Sequence, residues 1–263
     1  MEKRIYPAPP QQVYLFGTCL IDLFVPEAGM DALRLLEQAG VAVDFPMGQS
    51  CCGQPAYTSG NEASARTVAA AQMALFQEDW PIVVPSGSCA GMMRHHWPKL
   101  FAADPVLGPR AKVLAERTFE LTEFLVEVLK VDFAALHAQS TVAPPPIKVA
   151  LHTSCSARRE MGTRSHGLAL LRALPGVELV EQKNEAECCG FGGVFSLKHP
   201  DISGAMVADK TAAIEASGCD QLVSADAGCL CNIGHAAEHQ GRALKVEHLA
   251  SFVARRLRGE AQS

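Results

Sequence analysis

A chain of 263 residues that is 48% hydrophobic can build one large or two modest cores, and it contains no uncharged apolar run long enough to cross a bilayer. Its net charge of -5 argues against a nucleic-acid partner. The N-terminal Met1-Glu2-Lys3-Arg4-Ile5-Tyr6 lacks an apolar leader, which predicts a reducing, cytoplasmic setting where ten cysteines serve metal better than disulfides.

In chain order, Val13-Tyr14-Leu15-Phe16-Gly17-Thr18-Cys19 is predicted as a short buried strand delivering Cys19 at its C-terminal end. Residues 29–39 carry apolar side chains at helical spacing, and Gly40 stops them. A strand over Val41–Phe45 enters the Pro46–Gly53 loop with Cys51 and Cys52. Asn61 is the expected cap of an alanine-rich helix over 62–78, Pro81–Pro85 is a third strand, and Ser86-Gly87-Ser88-Cys89 turns into another helix. The proline- and glycine-containing stretch 97–110 is expected to be an irregular insertion, with a strand and helix over Phe119–Leu129 beyond it. Val142-Ala143-Pro144-Pro145-Pro146 has the composition of a stiff linker, and the boundary is put there, giving domains 1–143 and 144–263. The first of these holds 10 basic and 15 acidic side chains against 13 of each in the second, so the acidity belongs to the first half.

After the linker the pattern restarts. Ile147–Cys155 is a strand ending in cysteine, followed by a helix near 164–173, a strand over Val177–Val180, a glycine-rich loop with Cys188 and Cys189, a helix over 200–216, and the strand Leu222-Val223-Ser224 leading to Cys229. The closing segments Phe119–Phe124 and Leu244–Leu249 match at an offset of 125. The expected fold is therefore α/β: two pseudo-symmetric repeats with mainly parallel sheets, their cysteines at strand ends or in the loops beyond, the edge where open α/β sheets bind ligands. The two cysteine-bearing loops are expected to face one another.

The cysteine spacing carries the chemistry. Cys19, Cys51-Cys52 and Cys89 are separated by 32, 1 and 37 residues, and Cys155, Cys188-Cys189 and Cys229 by 33, 1 and 40. Neighbouring residues point to different sides of a regular element, so both thiols of a doublet converge only at a sharp bend, which Gly53 and Gly190 permit. Four thiolates per half suit a 2Fe-2S cluster, a 4Fe-4S cluster or a closed zinc site, and these eight cysteines are the candidate ligands. Zinc sites usually draw on two closely spaced pairs, whereas these ligands are spread over three strand ends.

The doubled C…CCG…C arrangement resembles the cysteine-rich (CCG) domain family, which includes the heterodisulfide reductase B subunit and the iron-sulfur subunit of glycolate oxidase. The stretches GTCLIDLFVPEAG, CCGQPAYTSGN, PSGSCAGMMR, CCGFGGVFSLK, ISGAMVADK and GCLCNIG are most similar to the family's small lactate-utilisation iron-sulfur proteins. The resemblance implies one or two 4Fe-4S clusters in a cytoplasmic electron-transfer subunit, acting with iron-sulfur or flavin partner subunits while L-lactate is oxidised to pyruvate. Two departures limit it. Ser86 and Asp226 stand where the heterodisulfide reductase branch has the first cysteine of a C-x-x-C pair, so a five-thiolate noncubane cluster and its disulfide chemistry are not implied. The chain also lacks the C-x-x-C-x-x-C ferredoxin-like domain of the glycolate oxidase subunit, so electrons must arrive through a partner.

Other features receive plainer readings. Cys219 is expected as a small core residue, Cys231 as a neighbour of the site, and His152 and His235 as groups near it rather than ligands. His95-His96 is expected to be a solvated helix end. Gly190-Phe191-Gly192-Gly193 lacks nucleotide-loop spacing and is assigned to close packing. No catalytic residue is evident. The competing functional class is a non-redox zinc protein, or the same redox role toward another 2-hydroxy acid such as glycolate, with thiol catalysis at a doublet ranked last for want of a nearby base.

Overall fold

The computed structural model describes residues 4–138 and 142–260. In the first half β1 (Gln12–Leu15), α1 (Cys19–Phe24), α2 (Pro26–Gln38), β2 (Ala42–Asp44), α3 (Gln54–Thr58), α4 (Glu62–Met73), β3 (Ile82–Val84), α5 (Gly87–Gly91), α6 (Trp97–Leu100), α7 (Leu107–Glu116), β4 (Thr118–Glu120), α8 (Leu121–Glu123) and α9 (Phe133–His137) follow in order. The second half has β5 (Ile147–Leu151), α10 (Arg164–Ala173), β6 (Val177–Leu179), α11 (Phe195–Lys198), α12 (Pro200–Glu215), β7 (Gln221–Ser224), α13 (Ala227–His239), β8 (Val246–His248) and α14 (Leu249–Arg258). Single π-helical turns follow α5, α8 and Cys155, over Met92–His96, Phe124–Val128 and Ala157–Met161. Among the described residues no helix is long and apolar enough to cross a membrane.

Each half is a four-stranded, all-parallel sheet, in the orders β2-β1-β3-β4 and β6-β5-β7-β8. Parallel strands need helical crossovers that cover both sheet faces, which is why the central strands are mostly apolar, as in Ile82-Val83-Val84 and Val149-Ala150-Leu151. The chain winds one way from β1 to β2 and the other way from β1 to β3, so the crevice of each sheet opens beyond the ends of β1 and β3, or of β5 and β7. Those ends lead directly to Cys19 and Cys89, and to Cys155 and Cys229.

The registers fix the internal equivalence. Tyr14 pairs with Ile82 as Ala150 pairs with Leu222, and Ile82 with Thr118 as Leu222 with Val246. The first strands are thus offset by 136 residues, the third by 140 and the closing strands by 128, not the 125 expected from sequence. Glu120 and His248 confirm it, since each ends its closing strand and caps the next helix, accepting from Thr122 and Glu123 N–H and from Ala250 N–H respectively. The dozen extra residues in the first half are partly helical: they fall in α6, the turn 101–106 and α7, with Pro98 just after the π turn of Met92–His96 and Pro109 in the first turn of α7, where a missing N–H costs nothing.

The halves share one core. Val13, Leu35, Phe119 and Phe124 of the first pack in the same cluster as Val149, Leu171, Leu249 and Phe252 of the second. The closing helix α14 lies on α2, and α10 packs against α8, so each half closes on the other. The Nε2–H of His248 is shared between the carbonyls of Pro85 and Ala225, two internally equivalent residues, each 3.0 Å away. The pseudo-twofold axis passes close to that ring. Buried Arg256 holds the linker by donating to the Pro145 carbonyl at 2.8 Å.

Candidate metal centre

Cys19 and Cys155 do not end strands. Each opens the helical turn just beyond one, after the loops Phe16–Thr18 and His152–Ser154. Thr18, buried with φ 58°, makes the turn into α1. Cys89 and Cys229 lie in the first turns of α5 and α13, and both doublets sit in loops after the second strands. Gly53 and Gly190 have φ of 90° and 85°, so the expected bend is present. It has a second use: the Gly53 N–H reaches the Cys51 sulfur at 3.4 Å, and the Gly190 N–H reaches that of Cys188 at 3.3 Å.

All eight repeated cysteines line one cavity of about 360 Å³ between the two sheet edges. Leu20, Pro55, Phe191 and Leu197 supply apolar wall, and Ser86 and Asp226 lie among the thiols. The facing of the loops has a packing cause. Helix α5, carrying Cys89, leans on the π turn after Cys155, and α13, carrying Cys229, leans on α1, which begins at Cys19. All ten cysteines are free thiols. Cys219 and Cys231 do not line the cavity; Cys231 and His235 face a separate groove beside β8.

Within each set the thiols touch in sequence, Cys19 to Cys51 to Cys52 to Cys89 and Cys155 to Cys188 to Cys189 to Cys229. The first thiol of each doublet receives hydrogen bonds from both neighbours and from the glycine N–H. The Cys19 thiol, then that of Cys52, holds Cys51 far below the ordinary thiol range, and Cys155, then Cys189, does the same for Cys188. The donors Cys19, Cys52, Cys155 and Cys189 are pushed up in return. Metal-free protein should therefore be alkylated at Cys51 and Cys188 near pH 6, where an ordinary thiol is almost wholly protonated. Peptide mapping after a brief iodoacetamide pulse would check this, and equal labelling of all eight would contradict it.

Several supporting residues were invisible in the sequence. Trp97 Nε1 donates to the Cys52 carbonyl at 2.9 Å, and Asn232 Nδ2 donates to the equivalent Cys189 carbonyl at 2.8 Å, so both doublets are pinned by the helical segment that follows the set's last cysteine. Gln49 and Gln182 donate to the carbonyls of Leu15 and Leu151 at 2.8 and 2.9 Å, tying each doublet loop to the central strand. Ser86 and Asp226 are themselves internally equivalent, three residues before Cys89 and Cys229. The Ser86 hydroxyl donates to Asp226 Oδ1 at 3.0 Å across the axis, and the Ser88 N–H adds a bond at 2.9 Å. Asp226 Oδ2 is buried without a partner. His96, expected in solvent, instead bonds Glu160 of the other half at 2.7 Å and Tyr57 at 3.1 Å. The His152 ring, the Cys189 sulfur and the Cys229 sulfur bring ligand atoms within 4.8 Å of one another.

The donor set fits an iron-sulfur group: eight convergent thiols, a lining of apolar side chains, backbone N–H groups aimed at sulfur, and buried polar atoms awaiting a partner. A family model described as a cysteine-rich domain (CCG) matches residues 13–94 and again 149–234. The chain is 44% identical over 244 residues to lactate utilization protein A of Geobacillus kaustophilus, covering 92% of this chain and 98% of the relative. Against lactate utilization protein A of Bacillus subtilis the identity is 42% with the same coverage. A crystal structure of a hypothetical protein from Helicobacter pylori superimposes with a TM-score of 0.64 at 13% identity, covering 98% of this chain and 51% of that one, a likeness of fold.

Proposed function

The chain belongs to the cysteine-rich CCG-domain family, and from that premise we propose that it is the electron-transferring iron-sulfur subunit of a complex that oxidises L-lactate to pyruvate. The observation that carries the reading is the convergence of both four-cysteine sets on one cavity. Cys19, Cys51, Cys52 and Cys89 would hold one cluster, and Cys155, Cys188, Cys189 and Cys229 the other. When bound, such clusters supply one-electron transfer at a potential tuned by burial and by hydrogen bonds to sulfur.

The chain's own residues would do the rest. Gly53 and Gly190 N–H stabilise the thiolate form of the doublets. Trp97 and Asn232 fix the doublet backbone so that little rearrangement accompanies a change of charge. Leu20, Pro55, Phe191 and Leu197 limit water. Ser86 and Asp226 occupy each other, which leaves four thiolates per set and favours an ordinary 4Fe-4S cluster over a five-thiolate assembly.

Taking a hydride from a hydroxy acid is the chemistry of a flavin or comparable cofactor, so substrate oxidation is assigned to a flavin or iron-sulfur partner. Anaerobic reconstitution should give about eight irons per chain, brown colour and a paramagnetic signal on reduction. The isolated, loaded chain should not oxidise lactate. Tightly bound zinc with no iron uptake would overturn the iron-sulfur reading, and lactate turnover by the pure chain would overturn its role as a carrier. Pull-down with the loaded chain as bait should recover the partner, with weaker capture at high salt if the acidic first half docks.

A further inference from the structure

Besides Ser86 and Asp226, which bond each other across the axis, two positions near the cysteines break the internal symmetry. Phe16 N–H donates to the Val83 carbonyl at 2.9 Å, and His152 N–H donates to the equivalent Val223 carbonyl at 2.8 Å, so Phe16 and His152 occupy the same place in the two halves. Phe16 is wholly buried against Phe76. His152, 1% exposed, lies against the Cys189 and Cys229 sulfurs, and neither ring nitrogen completes a hydrogen bond.

The second break lies on the helix behind each doublet. A Cβ on Gly53 would meet the Ala65 carbonyl, and one on Gly190 the Ser203 carbonyl, which aligns α4 with α12 and Gln72 with Lys210. Gln72, neutral, accepts from the Ser50 N–H beside the first doublet at 2.9 Å and donates to the Ser50 hydroxyl at 2.9 Å. Lys210, 2% exposed, donates to the Asn184 carbonyl at 2.8 Å, and its ammonium is in electrostatic reach of the Cys155 and Cys189 sulfurs. The second set thus has a buried cation and an unsatisfied imidazole where the first has an amide and a phenyl ring.

Resting on the two-site iron-sulfur reading, we propose that the two sets are electronically inequivalent: His152 and Lys210 hold the second at the higher reduction potential, so a single electron added to the chain resides in the second half. Donors to ligand sulfur and nearby positive charge both stabilise the reduced, more negative state, and low dielectric strengthens both. Other charges do not cancel this. Glu187 and Arg159 are both exposed and screened, Glu185 is paired with Arg158 and Arg164, and the Asp226 carboxylate accepts from Ser86 and Ser88 of the first half, so its charge bears on both sets. The step balances simply: one electron leaves the first site and reduces the second, with no bond made or broken.

The test is a dithionite titration of anaerobically reconstituted protein, followed by paramagnetic resonance. Wild type should show two one-electron waves, and Cys51→Ser should retain the higher one. His152→Phe and Lys210→Gln, which install the first half's own residues, should each lower the higher midpoint toward the other and leave the lower in place. Phe16→His should raise the lower. Two loaded sites titrating as one wave, or a higher wave indifferent to both substitutions, would overturn the inequivalence and leave the iron-sulfur reading standing. Iron in one half only, or none, would overturn the two-site reading and this inference with it. Circular dichroism matching wild type separates these results from misfolding.

Discussion

Serine in place of Cys52 should reduce the iron bound after anaerobic reconstitution from about eight to about four per chain, and serine in place of Cys189 should do the same from the other side. Cys52 and Cys189 are the most buried members of their sets, 1% and 2% exposed, and each touches two other candidate ligands. The substitution is nearly isosteric, so packing barely changes. A hydroxyl oxygen, however, is a poor partner for iron beside sulfide. Burying it without a partner adds about 1–3 kcal/mol of instability, small beside the loss of a metal site. The double variant should bind almost no iron. Metal analysis with the far-ultraviolet spectrum as a folding control decides it, and undiminished iron in both single variants would remove the doublets from the ligand set. Loss of all iron in either single variant would mean that the eight thiols serve one shared group.

The contrast between the cysteines and their surroundings shows what a sequence of this kind can carry. The two sets were legible because spacing repeats at 32, 1, 37 and 33, 1, 40, and metal chemistry needs those residues whatever fold presents them. The parallel α/β architecture was legible too, from apolar strands alternating with amphipathic helices. The closing register was not, since short segments with similar apolar content match at 125 as readily as at 128, and only strand pairing decides. The helices within 97–116 were hidden because proline reads as a breaker, although Pro109 stands in a first turn and Pro98 just after a π turn. Trp97, Asn232 and the His96–Glu160 contact depend on partners 45, 43 and 64 residues away. No local pattern announces such contacts. His152 is near Cys155 in the sequence, but its difference from the first half emerges only from the comparison with Phe16.

The same long-range dependence makes Gly87 the residue on which the facing of the two halves turns. It opens α5, two residues before Cys89, and a Cβ there would stand 2.3 Å from the Ala157 Cβ and 3.1 Å from its Cα, on the turn that follows Cys155. Neither atom is the end of a flexible side chain, so relief requires the backbones to separate. Gly87→Ala should therefore destabilise the protein by about 1–3 kcal/mol, as overpacking of a close contact does, although alanine is the better helix former. In a chain of this size each kcal/mol lowers the melting temperature by about 2–4 °C. Gly204→Ala is the matched control, because Gly204 lies in α12 with nothing within 4 Å of its Cβ position, and it should be neutral or slightly stabilising. Separation at Gly87 would also strain the Ser86 and Ser88 bonds to Asp226 and widen the cavity from the first half, so both cysteine sets should lose iron together. That pattern differs from the one-sided loss expected of the doublet variants. Equal melting temperatures for Gly87→Ala and Gly204→Ala, with full iron in both, would mean that the contact between α5 and the turn after Cys155 does not hold the two sets face to face.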